Sequence, residues 1–419
     1  MKQKAKELFK NPLIYGTSIV LIGNFIANLF NLFFNIFMNK NLSVADYGTF
    51  LSVMSLIVFP GLVATAIVPV VVRFAGNYFA KNDYAHLRGL YIKIKKMLLI
   101  IAVIFFVGFI FVTPVISNFF HIANRNILFM TDVIIFFGVI GVINMAFLQA
   151  KLAFSFQVFI NFLTSLIKFL LSVVFVFAGF SVAGATMAMI ISGIVGYVVS
   201  FIPLKFIFDR KIAPPSISTK ELFLYGLPSS LTLIGLTSLI STDILLVKHF
   251  FNPHDAGLYG GLSLLSRIIF FITYPIATVM FPLIVQKQSK NENFTNTFKL
   301  SLLLVAVPSI LLTAFYAIFT KFSISILLKQ EYFVISPYVV PFALFISCYA
   351  ILSIICNFYL SIKKTNIYIP IIIGALLQIF FMCIFHQTFF QIIYISLIIT
   401  FVLVCLLLLY YPYATKRKV

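Results

Sequence analysis

Asn24, Asn28, Asn31 and Asn35 recur at spacings of 4, 3 and 4 inside an otherwise apolar run. On an α-helix that spacing puts all four amides on one face. Such a stripe can hydrogen-bond the hydroxyls of a sugar, or it can bond neighbouring helices and hold a bundle together. A second stripe, Gln157, Asn161, Thr164, Ser165, Lys168 and Ser172, crosses another apolar segment. An ammonium there needs an anionic partner or water. Lys168 is therefore a contact for an anionic ligand, half of a structural pair, or a side chain that reaches back to the surface.

Ser263, Arg267, Tyr274 and Thr278 form a third set at helical spacing. A guanidinium grips phosphate oxygens bidentately and stays charged, so Arg267 is the strongest candidate for a diphosphate contact. Its structural alternative is a pair with Asp243, the one acid that the span map below puts well inside a span. A lone intramembrane carboxylate is also a place to bind a proton or a sodium ion, which makes Asp243 the ion-coupling candidate. Tyr274 offers a ring for stacking on a sugar. Arg73, four residues after Pro69, is either a gate residue or a cytoplasmic flank. No nucleophile–base pair, glycine-rich phosphate loop or metal-ligand spacing is present in the sequence, so catalysis, ATP hydrolysis and a resident cofactor are not expected.

The segments that must position these groups are apolar in bulk. The chain is 62% hydrophobic and 10% charged with mean hydropathy +1.13, whereas a water-solvated domain carries about 25% charged residues. Crossing the hydrocarbon core takes about 20 apolar residues. Twelve stretches qualify: 13–38, 48–72, 97–117, 127–149, 156–178, 182–206, 223–247, 257–285, 299–320, 336–360, 366–385 and 389–411. Pro60 and Pro69 in the second, and Pro275 and Pro282 in the eighth, predict kinks there. Cys348, Cys356, Cys383 and Cys405 all fall in apolar stretches and read as small buried hydrophobes.

With the N-terminus inside, 23 of the 30 basic residues fall in cytoplasmic segments, five outside, and Lys168 and Arg267 within spans. Cytoplasmic loops collect Lys and Arg, so the net charge of +20 is membrane topology rather than nucleic-acid binding. Both termini are placed in the cytoplasm. The longest hydrophilic segments, 73–96, 207–222 and 286–298, are cytoplasmic on this map, and no external loop exceeds about 20 residues. The middle one, with Asp209, Arg210, Lys211, Pro214 and Pro215, divides the chain nearly in half.

The halves repeat each other. Lys6–Phe9 recurs as Lys220–Phe223, Tyr15-Gly16 as Tyr225-Gly226, and Leu21-Ile22-Gly23 as Leu233-Ile234-Gly235. Asp46-Tyr47-Gly48-Thr49-Phe50 matches Asp255-Ala256-Gly257-Leu258-Tyr259, and Pro69 matches Pro282. Six spans per half make the repeat parallel, with its axis along the membrane normal. The expected fold is an all-α polytopic membrane protein. It consists of two six-helix bundles, 1–206 and 223–419, joined by a cytoplasmic linker at 207–222 and arranged around a central cavity.

Leu42-Ser43-Val44-Ala45-Asp46-Tyr47-Gly48-Thr49-Phe50, followed by a proline-bearing span, resembles the opening of Wzx-type polysaccharide flippases. The second-half segment Asp243–Leu246 to Asp255–Tyr259 resembles them too. These flippases are members of the multidrug/oligosaccharidyl-lipid/polysaccharide (MOP) exporter superfamily. The resemblance implies a secondary transporter of the bacterial cytoplasmic membrane that moves an undecaprenyl-diphosphate-linked oligosaccharide between leaflets by alternating access. It implies lipid-linked oligosaccharide and membrane lipids as partners, with polysaccharide polymerase and glycosyltransferases nearby. Lys168 and Arg267 would meet the diphosphate and the amides the sugars, with the prenyl tail left among lipids. An ion-coupled drug antiporter of the same superfamily is the alternative, but the spans hold more base than acid. A membrane polymerase or ligase would need larger external loops.

Overall fold

The structure, a computed structural model, describes residues 11–57, 59–120, 122, 124–209, 215–328 and 330–415. The repeat word at Lys6–Phe9, the linker residues Arg210, Lys211 and Pro214, and the basic residues 416–418 lie outside the described residues. The chain forms two compact units, Met1–Lys220 and Glu221–Val419.

In the first unit, α1 (Pro12–Asn41) begins where the Asn11 side chain accepts the Leu13 N–H at 3.0 Å and Pro12 opens the first turn. It is followed by α2 (Val44–Leu56), α3 (Phe59–Ala80), α4 (Tyr84–Phe120) and α5 (Arg125–Ala150). Then come α6 (Phe154–Phe175), a π-helical turn Val176–Phe180, α7 (Ser181–Val199) and a 3-10 turn Ile202–Phe208. As one straight helix, 154–199 would run about 70 Å, more than twice the hydrocarbon thickness. Gly179, at φ 89°, breaks it into a hairpin; other residues occupy that conformation only under strain. Within the unit α1 packs along α6, and α3 along α5.

The hydrophilic segment 73–96 is helical over most of its length. α3 continues to Ala80 and α4 starts at Tyr84, so only a turn at 81–83 separates them. At about 1.5 Å per residue α4 is about 55 Å long, well beyond what a bilayer core needs. Its basic first half, Arg88 to Lys96, is helix that outruns the membrane.

In the second unit, α8 (Thr219–Phe250), α9 (Pro253–Ser266), α10 (Ile268–Ser289) and α11 (Thr295–Ile318) lead to a short α12 (Thr320–Leu327) and a 3-10 turn Gln330–Ile335. The last three are α13 (Ser336–Ser361), α14 (Tyr368–Ile384) and α15 (Phe389–Thr415). α13 is the hub: it packs against α9, α10, α11 and α15 and buries Phe342, Phe345, Phe358 and Tyr359 completely.

Ten helical segments among the described residues are long and apolar enough to cross a membrane, with the hairpin Phe154–Val199 counted as one. Counting it as two, and the broken span Val44–Ala80 as one, gives the expected twelve. Large exposed hydrophobics such as Phe111 and Leu409 suit a lipid-facing surface. All four cysteines are free thiols, but only Cys356 is buried, while Cys383 and Cys405 are exposed. An apolar stretch that faces lipid exposes its cysteines along with everything else on that side.

Spans two and eight are broken, though not wherever a proline stands. Pro60 sits in the first turn of α3, just past the first break, whereas Pro69, Pro275 and Pro282 are accommodated inside helices. The breaks obey the repeat. α2 and α9 are capped alike, Ser43 accepting from the Asp46 N–H and Asn252 from the Asp255 N–H. Phe50 and Tyr259, at matching positions, are both fully buried. The helices then end on Ile57 (φ −68°, ψ −7°) and Arg267 (φ −67°, ψ −10°). Both halves thus break one span at one place, and the second half puts an arginine there.

Candidate functional site

The first unit brings the two amide-bearing stripes together. Asn161 Nδ2 donates to Asn24 Oδ1 at 3.2 Å, and Asn31 Nδ2 to Ser165 Oγ at 3.4 Å. Lys168 Nζ donates to Asn31 Oδ1 at 2.5 Å and sits 4.7 Å from the centre of the Phe34 ring. The amide oxygen and the ring face both stabilise the ammonium, yet neither neutralises it. Among the described residues Lys168 forms no ion pair.

Lys168, Asn161, Thr164 and Ser165 line a cavity of about 450 Å³ between α5, α6 and α7. Ser192 and Tyr197 of α7 and Ser200 just past its end add polar edges, and the α5 residues that line the cavity are apolar. The result is an amphipathic chamber with one uncompensated positive charge, suited to an anionic group attached to something apolar or lightly polar.

In the second unit the charges are spent on each other. Arg267 Nη2 lies 3.7 Å from Asp243 Oδ1 and also donates to the Ile240 carbonyl. The Tyr259 hydroxyl donates to Asp243 Oδ2 at 3.0 Å. Asp243 is fully buried, while the Arg267 side chain is 21% exposed. This is the structural alternative for Arg267: the pair pins the start of α10 to α8. Tyr259 was not singled out by its spacing, although it ends the repeated word Asp255–Tyr259; its fully buried position, shared with Phe50, is what marks it.

The remaining candidates scatter. Asn28 is exposed, and the Asn35 amide bonds the Asn31 carbonyl of its own helix at 2.8 Å; of the four-residue stripe only Asn24 and Asn31 reach α6. Tyr274 is 51% exposed and packs at 5.4 Å on Phe270. Arg73 is buried inside α3, two turns before that helix ends at Ala80. Asp132, which the sequence reading did not single out, is 1% exposed, and neither carboxylate oxygen carries a hydrogen bond among the described residues. α5 starts at Arg125 and carries Asp132 two turns into the helix. A second buried carboxylate therefore joins Asp243. Among the described residues no three metal-ligating side chains cluster.

The model of a family described as polysaccharide biosynthesis protein matches residues 42–337, which is more than half of the chain and spans both units. The chain belongs to the polysaccharide biosynthesis protein family. No curated protein matches it. Among solved structures, MATE in the bent conformation aligns at TM-score 0.80 and 14% identity over 97% of this chain and 96% of that one. A MOP superfamily transporter from Pyrococcus furiosus, described as having a binding pocket of reverse polarity, aligns at 0.75 and 14% over the same shares. MATE in the straight conformation aligns at 0.75 and 15%, over 97% of both chains. The likeness at these identities is one of fold, and this family member has the fold of the MOP exporters, a multi-pass membrane architecture.

Proposed function

We propose that this family member flips an undecaprenyl-diphosphate-linked oligosaccharide from the inner to the outer leaflet of the bacterial cytoplasmic membrane, by alternating access, for assembly of a surface polysaccharide. The observation that carries the reading is Lys168: a cation on a cavity wall, ordered by an amide and unpaired with any acid among the described residues. A diphosphate, at about −2 charge, does not cross hydrocarbon without such compensation. Arg267 is committed to Asp243, so Lys168 takes the diphosphate role, with Asn161, Thr164 and Ser165 offering hydrogen bonds to whatever is linked to it. The same cation disfavours cationic drugs as cargo. Asp243 and Asp132 are the acids available for coupling to a proton or sodium gradient.

The test is complementation. In cells lacking the chromosomal copy, wild-type chain restores surface polysaccharide. Lys168→Ala, present at wild-type level in the membrane, does not. Normal polysaccharide from Lys168→Ala would overturn the assignment of the diphosphate.

A further inference from the structure

The repeated word that opens α2 and α9 is used differently in the two units. Each puts an acid in the first turn of its helix. In the second unit that acid is tied down locally: Asp255 Oδ2 accepts from the Asn252 amide of its own cap at 2.8 Å. In the first unit the cap is Ser43, and Asp46 reaches across to the hairpin between α6 and α7. There its Oδ2 accepts from the Ser181 hydroxyl at 2.9 Å.

Ser181 opens α7 at φ 47° and ψ −130°, a conformation that a residue with a side chain keeps only when its surroundings hold it. α7 has no side-chain cap and no acid in its own first turn. Asp46 therefore supplies, from α2, the negative charge that a helix N-terminus favours, and it does so through the strained residue.

Beneath this bond lies an apolar layer. Phe50, one turn along α2 from Asp46, and Val182, next to Ser181, are buried in one cluster with Phe34, Met38, Ala185 and Met189. The Phe34 and Phe50 rings meet edge to face at 5.5 Å. On the far side of the layer is the candidate site: the Phe34 ring faces the Lys168 ammonium, and Met189 lines the cavity. From the end of the unit that is external on the positive-inside map, the order inward is hydrogen bond, apolar layer, ammonium.

We propose that Asp46 and Ser181 form the latch of an outer gate in the first unit. While their bond holds, α2 is clamped on α7, and the layer around Phe34 and Phe50 keeps external water from Lys168. Breaking it lets the Ser181 backbone relax, and α2, separated from α3 by the break at Ile57, swings off α7 and opens the layer. The strain at Ser181 weakens the latch, so the gate is held shut without being locked. That the gated cation serves transport rests on the flippase reading, while the gate rests on the geometry of this unit.

The test is access from outside. Ser192→Cys, on the cavity wall about one turn past Met189, is the reporter in a full-length chain whose four native cysteines are replaced by alanine. Its labelling by a membrane-impermeant methanethiosulfonate is timed in right-side-out membrane vesicles, with melting temperatures measured alongside. Asp46→Ala and Ser181→Ala each speed labelling by about tenfold, the equivalent of a hydrogen bond to a charged group. The double variant goes no further than either, because both remove one bond. Asp255→Ala, the matching acid of the second unit, leaves the rate unchanged. Ser181→Ala keeps α2 and its acid intact, so it decides the outcome if Asp46→Ala fails to reach the membrane. Labelling at the wild-type rate in folded Asp46→Ala or Ser181→Ala, summed effects in the double variant, or an equal rise from Asp255→Ala overturns the gate. Labelling reads access and not cargo. A latch that opens as stated in a protein moving no lipid-linked oligosaccharide would refute the flippase reading and leave the gate. Unmoved labelling in a protein that flips the lipid would refute the gate and leave the flippase.

Discussion

Replacing Arg267 by methionine leaves Asp243 fully buried with the Tyr259 hydroxyl as its remaining side-chain partner. At the observed 3.7 Å and an effective dielectric of about 20, the gross attraction lost is about 4.5 kcal/mol. Removing one member of a buried pair costs about 3–5 kcal/mol, because the other charge stays behind uncompensated. The long separation and the partial exposure of Arg267 put the expected loss near 3 kcal/mol. For a unit the size of Glu221–Val419 each kcal/mol moves a melting temperature by about 2–4 °C, so Arg267→Met melts about 6–12 °C below wild type. Asp243→Asn added to Arg267→Met removes the stranded charge and recovers most of that loss. The assay is thermal melting of detergent-purified protein, followed as loss of the monodisperse peak, over the full double-mutant cycle. Melting of Arg267→Met within about 2 °C of wild type, or a double variant that loses the sum of the singles, would show that the pair does not hold the helix break.

Gly179→Val forces a β-branched residue to φ 89° and should cost about 1–3 kcal/mol, seen as a lower melting temperature, with Gly179→Asn milder; an unchanged Gly179→Val would mean the hairpin turn is not strained. Asn31→Leu removes the oxygen that orders Lys168 and should slow transport by about tenfold, the equivalent of one hydrogen bond to a charged group. Asn35→Leu, whose amide bonds only its own helix among the hydrogen bonds described, should leave transport unchanged, and equal effects from the two would break the link between Asn31 and the site. Asp243→Asn should abolish the dependence of transport on the proton or sodium gradient. If that dependence persists, Asp243 has no coupling role and the same measurement passes to Asp132→Asn.

The spans were legible because a bilayer imposes a length of apolar run on any helix that crosses it, and the duplication because matching words recur in order. The convergence of Asn24, Asn31, Asn161 and Lys168 was half legible. Helical spacing put each stripe on one face, but that α1 and α6 turn those faces together is a packing outcome with no local signal. The pairing of Arg267 with Asp243 stood only as one of two readings, because 24 residues of sequence separation do not fix a distance across a helix hairpin. The break at Arg267 was hidden altogether. The prolines drew attention to positions 275 and 282, yet the helix ends where the arginine side chain bonds back to α8. The burial of Asp132 was missed because two residues of error in a helix start decide whether a carboxylate sits at the rim or inside.

The most direct measurement is flipping of a lipid-linked oligosaccharide by the purified protein in liposomes, read as the fraction of glycan accessible to an impermeant lectin. Wild-type chain should raise the rate well above that of protein-free liposomes. Lys168→Ala should lower it by about tenfold to a hundredfold, the worth of a charge-assisted contact of about 1.5–3 kcal/mol, and Lys168→Arg should keep most of it. A wild-type rate equal to that of empty liposomes, or a Lys168→Ala rate equal to wild type, would contradict the assignment of this cavity to a flipped diphosphate.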